Sequence, residues 1–164
     1  MIEMTRIVFM GTPEFSIPTL SGLVQSEYEV AAVYTQPDRP AGRSRGMAFP
    51  PVKAFAQNVS LPVFQPQSLR NKYEVQQLAN HSPDLLVVVA YGLILPSDVL
   101  KIPKFGCLNI HPSLLPGYRG PSPVASAILA GDEETGVTIM LMNEGIDSGP
   151  ILAQQSVTID PQDT

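Results

Sequence analysis

The sequence predicts an α/β protein: a doubly wound, mostly parallel, Rossmann-like sheet of about seven strands with helices on both faces, in one domain over residues 1–164. Three observations carry that expectation. Ile7-Val8-Phe9-Met10 and Leu85-Leu86-Val87-Val88-Val89 are apolar runs without alternation, as expected of strands covered on both faces of a parallel sheet. The first run, a helical stretch and a second strand follow one another closely, which is the βαβ order and implies a right-handed crossover. Cys107-Leu108-Asn109-Ile110-His111 is strand-like and stops at Pro112, which cannot donate to a ladder.

Taken in order, Thr5–Met10 is a strand ended by Gly11, and Gly11-Thr12-Pro13 makes the turn. A helix follows with Phe15, Leu20, Leu23 and Val24 on one side; Pro18 belongs in its first turn, with Ser16 as N-cap. Glu29–Thr35 is the second strand. Thr35–Gly46 is too rich in Pro, Gly and Arg for helix or strand, and reads as a long loop beyond a strand end, where function collects. A helix starts at Pro51, Leu61–Gln65 is a short third strand, and Lys72–Ala79 is helical with Val75, Leu78 and Ala79 inward. His81 sits in the helix-ending turn Asn80-His81-Ser82-Pro83, where local hydrogen bonding is the expected role. Asp84–Ala90 is the strongest strand, followed at its carboxyl end by Tyr91-Gly92-Leu93. Beyond Pro121-Ser122-Pro123, Val124–Ala130 is an apolar helix closed by Gly131. Asp132–Gly136 reads as a solvated acidic turn, Val137–Met142 as a strand, and Ile151–Ile159 as a strand suited to a sheet edge.

Composition narrows the class. Hydrophobic residues make up 44% and charged residues 15%, which is globular and excludes disorder. No run is long and apolar enough to span a bilayer, and the N-terminus lacks the basic-then-apolar pattern of a leader. The single cysteine, Cys107, cannot form an internal disulfide and reads as a buried small hydrophobe, which suits a reducing cytoplasmic setting. Net charge is −5, yet four of the ten Lys and Arg residues (Arg39, Arg43, Arg45, Lys53) lie between 39 and 53 with no acid among them, so the rest carries −9. A basic loop on an acidic body is compatible with local phosphate contact. One Gly11 without the Gly-x-Gly-x-x-Gly turn, and no acid ending the second strand, make a nicotinamide dinucleotide a weak reading.

Side chains alternate along a strand, so Asn109 and His111 point the same way at its tip. Alone, such a pair reads as a turn cap. Here Asn109-x-His111 runs into Ser113-Leu114-Leu115-Pro116 and a Gly/Arg/Pro loop, and with Gly11-Thr12-Pro13-Glu14-Phe15 and Pro37-Asp38-Arg39-Pro40-Ala41-Gly42-Arg43 it resembles the folate-dependent formyltransferase family. The likeness runs from Arg6 to Thr164.

The resemblance implies a catalytic domain that takes a formyl group from 10-formyltetrahydrofolate, a cosubstrate, with no metal. It assigns Asn109, His111 and Asp147 to catalysis. It places Ser113, Leu114, Leu115, Pro116, Tyr91, Gly92 and Leu93 at the folate, and Arg119 within reach of either substrate. In the branch acting on methionyl-initiator-tRNA, the basic loop contacts the acceptor end; its matching residues are Arg39, Arg43 and, more loosely, Arg45. That branch continues with a helix, a linker and a tRNA-holding β-barrel, so this chain reads as the truncated catalytic domain, a monomer. His111 is open between base and oxyanion stabiliser, and Asp147 between orienting His111, raising its pKa and holding a proton-relaying water. Competing readings are transfer to a small amine (a sugar nucleotide or glycinamide ribonucleotide), a folate-binding fragment without turnover, and folate hydrolysis. The basic loop argues against the first. All of it requires Asp147 to converge with the tip that bears Asn109 and His111.

Overall fold

The computed structural model describes residues 4–41 and 46–163. The chain divides into two compact units, the first ending at Cys107 and the second beginning at Leu108.

The first unit is a parallel α/β layer. Strands β1 (Arg6–Gly11), β2 (Glu29–Tyr34), β5 (Val63–Phe64) and β6 (Leu85–Val89) lie in the order β5-β2-β1-β6, all pairs parallel. The unalternated runs are buried as their composition requires: Val8, Phe9, Met10, Val33 and Leu86 expose no surface. Helices α1 (Ile17–Gln25), α2 (Pro51–Asn58) and α3 (Lys72–Asn80) connect them, and the single turn α4 (Ser97–Leu100) follows β6.

Arg6 ties the amino ends of the strands together. Its N–H donates to Asp84 Oδ2 (2.9 Å), its Nε to the His81 carbonyl (3.1 Å), and its guanidinium pairs with Glu29 (2.6 Å). The ion pair is about two-fifths exposed and contributes little stability.

Several expectations change on folding. The loop at 35–46 contains an antiparallel ribbon, β3 (Arg39–Ala41) with β4 (Gly46–Ala48), Arg39 opposite Ala48. A two-stranded ribbon is all edge, which is where a proline such as Pro40 is tolerated. Ser16 is the N-cap residue of α1, with Pro18 in the first turn as expected, but its hydroxyl donates to the Val89 carbonyl (2.7 Å) instead of capping. In the helical stretch, Leu20 is buried whereas Phe15 and Val24 are exposed. His81 ends α3, but its ring packs edge-on against Phe64 and Tyr34, and its Nε2 has no hydrogen-bond partner. Burial, then the Arg6 charge, lowers its pKa.

The second unit is antiparallel. Strand β7 (Cys107–His111) leads into it; β8 (Glu134–Leu141) pairs β7, and β9 (Ile151–Thr158) pairs β8, with α5 (Pro123–Ala130) between β7 and β8. Helix α5 ends on Gly131 at φ 75°, the left-handed C-cap that glycine adopts without penalty. The expected acidic turn is shorter than its letters suggest, because Glu134 to Gly136 already belong to β8. The edge strand β9 is exposed along its whole length. The two units together hold seven sheet strands beside the ribbon, the number expected. Among the described residues no helix is long and apolar enough to cross a membrane.

Cys107 is 1% exposed, and burial pushes its thiol up to about 12. Since the thiolate is the nucleophile, iodoacetamide at pH 8 should leave the folded protein unlabelled and modify one site once denaturant is added, as read by intact mass.

Candidate active site

Asn109, His111 and Asp147 meet in the second unit. Asn109 Nδ2 donates to Asp147 Oδ1 (3.1 Å), and His111 Nδ1 lies 3.6 Å from Asp147 Oδ2. The two strand residues arrive there through the pleat, which sends both to one face with Ile110 between them. Asp147 arrives from the β8–β9 loop, 38 residues along the chain from Asn109.

The aspartate stands in the left-handed region at φ 44°, a conformation that favours glycine and that Asp tolerates better than most. Its neighbours hold it there. Gly120 N–H donates to Asp147 Oδ2 (2.8 Å), and Leu141 N–H to the Pro150 carbonyl (2.9 Å) fastens the loop to the end of β8. At Gly149 a Cβ would collide with the Leu141 carbonyl, so the loop closes this tightly on a glycine alone.

His111 is 5% exposed, and its Nε2 lies 2.9 Å from the Tyr118 carbonyl. A carbonyl only accepts, so Nε2 carries the proton. With Nδ1 facing a carboxylate, both ring nitrogens look at acceptors; a neutral ring satisfies one of them and an imidazolium both. Tyr118 is fixed in turn by its hydroxyl, which donates to Asp132 Oδ2 (2.6 Å), and that bond raises the phenol's pKa. Asp132 is therefore a partner of Tyr118 and not simply a solvated acid.

Behind this triad the Ser113–Pro116 turn is built on buried polar groups. Ser113 Oγ donates to the Gly117 carbonyl (2.7 Å). Thr138, directly across the ladder from His111 and fully buried, donates to the Ser113 carbonyl (2.6 Å) and accepts from Leu115 N–H (3.1 Å) and Gln154 Nε2 (2.9 Å). Sequence pattern does not reveal Thr138, Tyr118, Gly120 or Gln154. The one available signal is a threonine amid the apolar residues of β8.

Arg119, also in the second unit, is exposed, and the other predicted contact residues lie in the first unit. Tyr91 is 2% exposed with an unpartnered hydroxyl, so its ring is core and its backbone makes the contacts. The Tyr91 carbonyl accepts from Thr12 Oγ1 (2.8 Å) and Gln36 Nε2 (3.3 Å). Gly92, at φ 83°, leaves the space that the Gln36 amide fills. Leu93 is half-buried. Arg39 is exposed at the start of the ribbon; Arg43 and Arg45 lie outside the described residues. The ribbon's base is clamped: Asp38 accepts from Gln65 Nε2 (2.7 Å) and Lys53 Nζ (2.6 Å).

Chemically, the triad offers an amide N–H hydrogen-bonded to a carboxylate and an imidazole nitrogen 3.6 Å from that carboxylate, donors that could meet a developing oxyanion beside a proton acceptor. A family model described as "Formyl transferase" matches residues 5–164. The chain belongs to the formyl transferase family. Among formyl transferases, the methionyl-tRNA formyltransferase of Methylococcus capsulatus is 57% identical over 159 residues, covering 97% of this chain and 52% of that protein. That of Hydrogenovibrio crunogenus is 52% identical over 164 residues, covering 100% and 53%. The solved phosphoribosylglycinamide formyltransferase of Bacillus halodurans shares the fold, with a TM-score of 0.77 at 29% identity over 98% of this chain and 83% of that one. The chain spans about half the length of the curated relatives it matches.

These contacts in the formyl transferase chain have two measurable consequences. Thr138→Val leaves Leu115 N–H and the Ser113 carbonyl without their buried partner and should destabilise the protein by roughly 2 kcal/mol in urea denaturation, with Thr138→Ser close to wild type. The Gln65 hydrogen bond, then Lys53, holds the Asp38 carboxyl below its usual range. Its contribution is therefore present above the ordinary carboxylate pKa and is lost as pH falls through the lowered one. Asp38→Asn should melt below wild type at neutral pH, and the difference should begin to shrink as pH falls below about 4 and vanish beneath the lowered pKa.

Proposed function

We propose that this protein transfers a formyl group from 10-formyltetrahydrofolate to the α-amino group of methionyl-initiator-tRNA, in the cytoplasm, as a step towards translation initiation. The observation that carries the reading is the convergence of Asn109, His111 and Asp147, in a chain 57% identical to a methionyl-tRNA formyltransferase. The more distant glycinamide ribonucleotide enzyme supports the chemistry of formyl transfer more than its acceptor.

In this reaction the amine nitrogen attacks the formyl carbon, whose oxygen becomes an oxyanion. The bond from that carbon to folate N10 then breaks, N10 gains a proton, and the amine nitrogen loses one. Asn109 retains an N–H beyond the one given to Asp147, and it would meet the oxyanion. His111 is set as a donor, because acceptors face both of its nitrogens; it would add to the oxyanion's stabilisation by releasing the Tyr118 carbonyl. Asp147, the carboxylate between them, would take the amine proton directly or through a water. Ser113 to Pro116 and the Tyr91–Leu93 turn would contact the folate. Arg39, with Arg43 and Arg45, would contact the acceptor end of the tRNA.

His111→Ala and Asp147→Asn should each lower kcat by about 100-fold or more, as loss of an oxyanion donor or proton acceptor does elsewhere. The assay is transfer of radiolabelled formyl from 10-formyltetrahydrofolate, comparing charged initiator tRNA with glycinamide ribonucleotide and a sugar-nucleotide amine. Wild-type rates in both variants would remove the mechanism, and preference for a small amine would remove the acceptor.

A further inference from the structure

A cavity of about 200 Å³ opens in the first unit at the carboxyl ends of β1 and β2, lined by Thr12, Gln36, Pro37, Arg39, Ala48, Phe49 and Pro50. We propose that it takes one unpaired nucleotide, the base lying on the Phe49 ring and its phosphate on Arg39. The inference rests on the function proposed above, and it names a subsite for the single-stranded acceptor end.

The walls decide what can enter. Pro37, Ala48, Phe49 and Pro50 are apolar, and Phe49 is 59% exposed. Lys53 Nζ stands 4.9 Å from the ring centroid but does not line the cavity, so one ring face carries a cation while the ring also borders the cavity. An exposed aromatic ring is a stacking platform that serves every base through its π-face.

The polar groups of the lining are already engaged. Thr12 Oγ1 donates to the Tyr91 carbonyl and accepts from Gln36 N–H, while the Gln36 amide donates to that same carbonyl and accepts from Arg39. Few hydrogen-bonding groups remain to read a base edge, so recognition falls to the face of the base. Arg39 is the exception in charge. Asp38, its neighbour, spends its carboxylate on Lys53 and Gln65, and among the described residues Arg39 has no ion pair. A purely apolar ligand, such as an amino-acid side chain, would leave that guanidinium without an anion. A nucleotide satisfies the ring and the charge together.

The test uses the 164-residue chain without folate, observing the Phe49 ring resonances by NMR while titrating adenosine 5′-monophosphate, ribose 5-phosphate, L-methioninamide and the single-stranded trinucleotide CCA at low salt. Adenosine monophosphate and CCA should shift the Phe49 signals, with uridine and cytidine monophosphates within a few-fold of adenosine, and ribose 5-phosphate much weaker. Phe49→Ala should weaken CCA by about tenfold and Phe49→Trp should restore it. Arg39→Gln should weaken binding and flatten its salt dependence. Unchanged affinity in Phe49→Ala, silence of the ring towards adenosine monophosphate, or a response to methioninamide instead overturns the proposal. Formyl transfer is measured separately. A chain that transfers formyl to methionyl-tRNA with an unresponsive Phe49 loses the subsite alone. One that binds nucleotides here and transfers no formyl group keeps the subsite and loses the function.

Discussion

Everything distinctive about the second unit depends on how the Asp147 carboxylate is received. Its side chain is 15% exposed, so the charge has little water to rely on and needs donors. It finds them in the Asn109 amide and the Gly120 N–H, with the His111 ring beside it. The left-handed backbone at Asp147 costs on the order of 1 kcal/mol or more, and such strain survives only where the surroundings over-determine it. Here the strand end at Leu141, the tight passage at Gly149 and the carboxylate's own partners supply that determination together.

A second constraint lies one step behind. Thr138 has one hydroxyl proton and two lone pairs, and all three are used within the protein: the Ser113 carbonyl, Leu115 N–H and Gln154 Nε2. Because Thr138 sits across the ladder from His111, the register that aims the imidazole also anchors the turn after it. A slip of one residue would reverse both at once. The packing is close enough that a Cβ at Gly136 would run into Leu114 and the Gln155 carbonyl, so β8 approaches the turn and β9 on bare backbone.

The parallel strands of the first unit were legible because burial on both faces writes itself as unbroken apolar runs. The tip of β7 was legible too, since a period of two followed by proline leaves Asn109 and His111 no other place. Asp147 was not, for nothing local connects a glycine-flanked acid to a strand far behind it; family likeness alone pointed there. Tyr118 and Gly120 were invisible for a different reason, because what they contribute to the triad is a backbone carbonyl and an N–H that nearly every residue has. Asp132 looked like solvated charge until the Tyr118 hydroxyl came to it, and Arg39–Ala41 looked like loop because its partner strand is set by pairing and not by its letters. Arg43 and Arg45, two of the four cations of the basic segment, lie outside the described residues.

The engagement of the three polar side chains with one another and with nearby backbone bears on how such a site can be buried. An amide, an imidazole and a carboxylate placed separately in a half-dry cleft would each lose hydration without compensation, and the cleft would flood or shift. Here Asn109 donates to Asp147, Gly120 N–H gives the carboxylate a second donor, and the Tyr118 carbonyl meets His111 Nε2, so each of the three has a partner within the protein. The Asn109 amide is also oriented by the exchange, because its nitrogen must face Asp147, which fixes where its second N–H points. A dipole fixed in advance stabilises new charge without first having to turn towards it, and that saved reorganisation is the larger part of what an oxyanion site contributes. On the proposed mechanism, the carboxylate that holds the Asn109 amide also aims its second N–H at the oxyanion, an arrangement that the left-handed backbone at Asp147 makes possible.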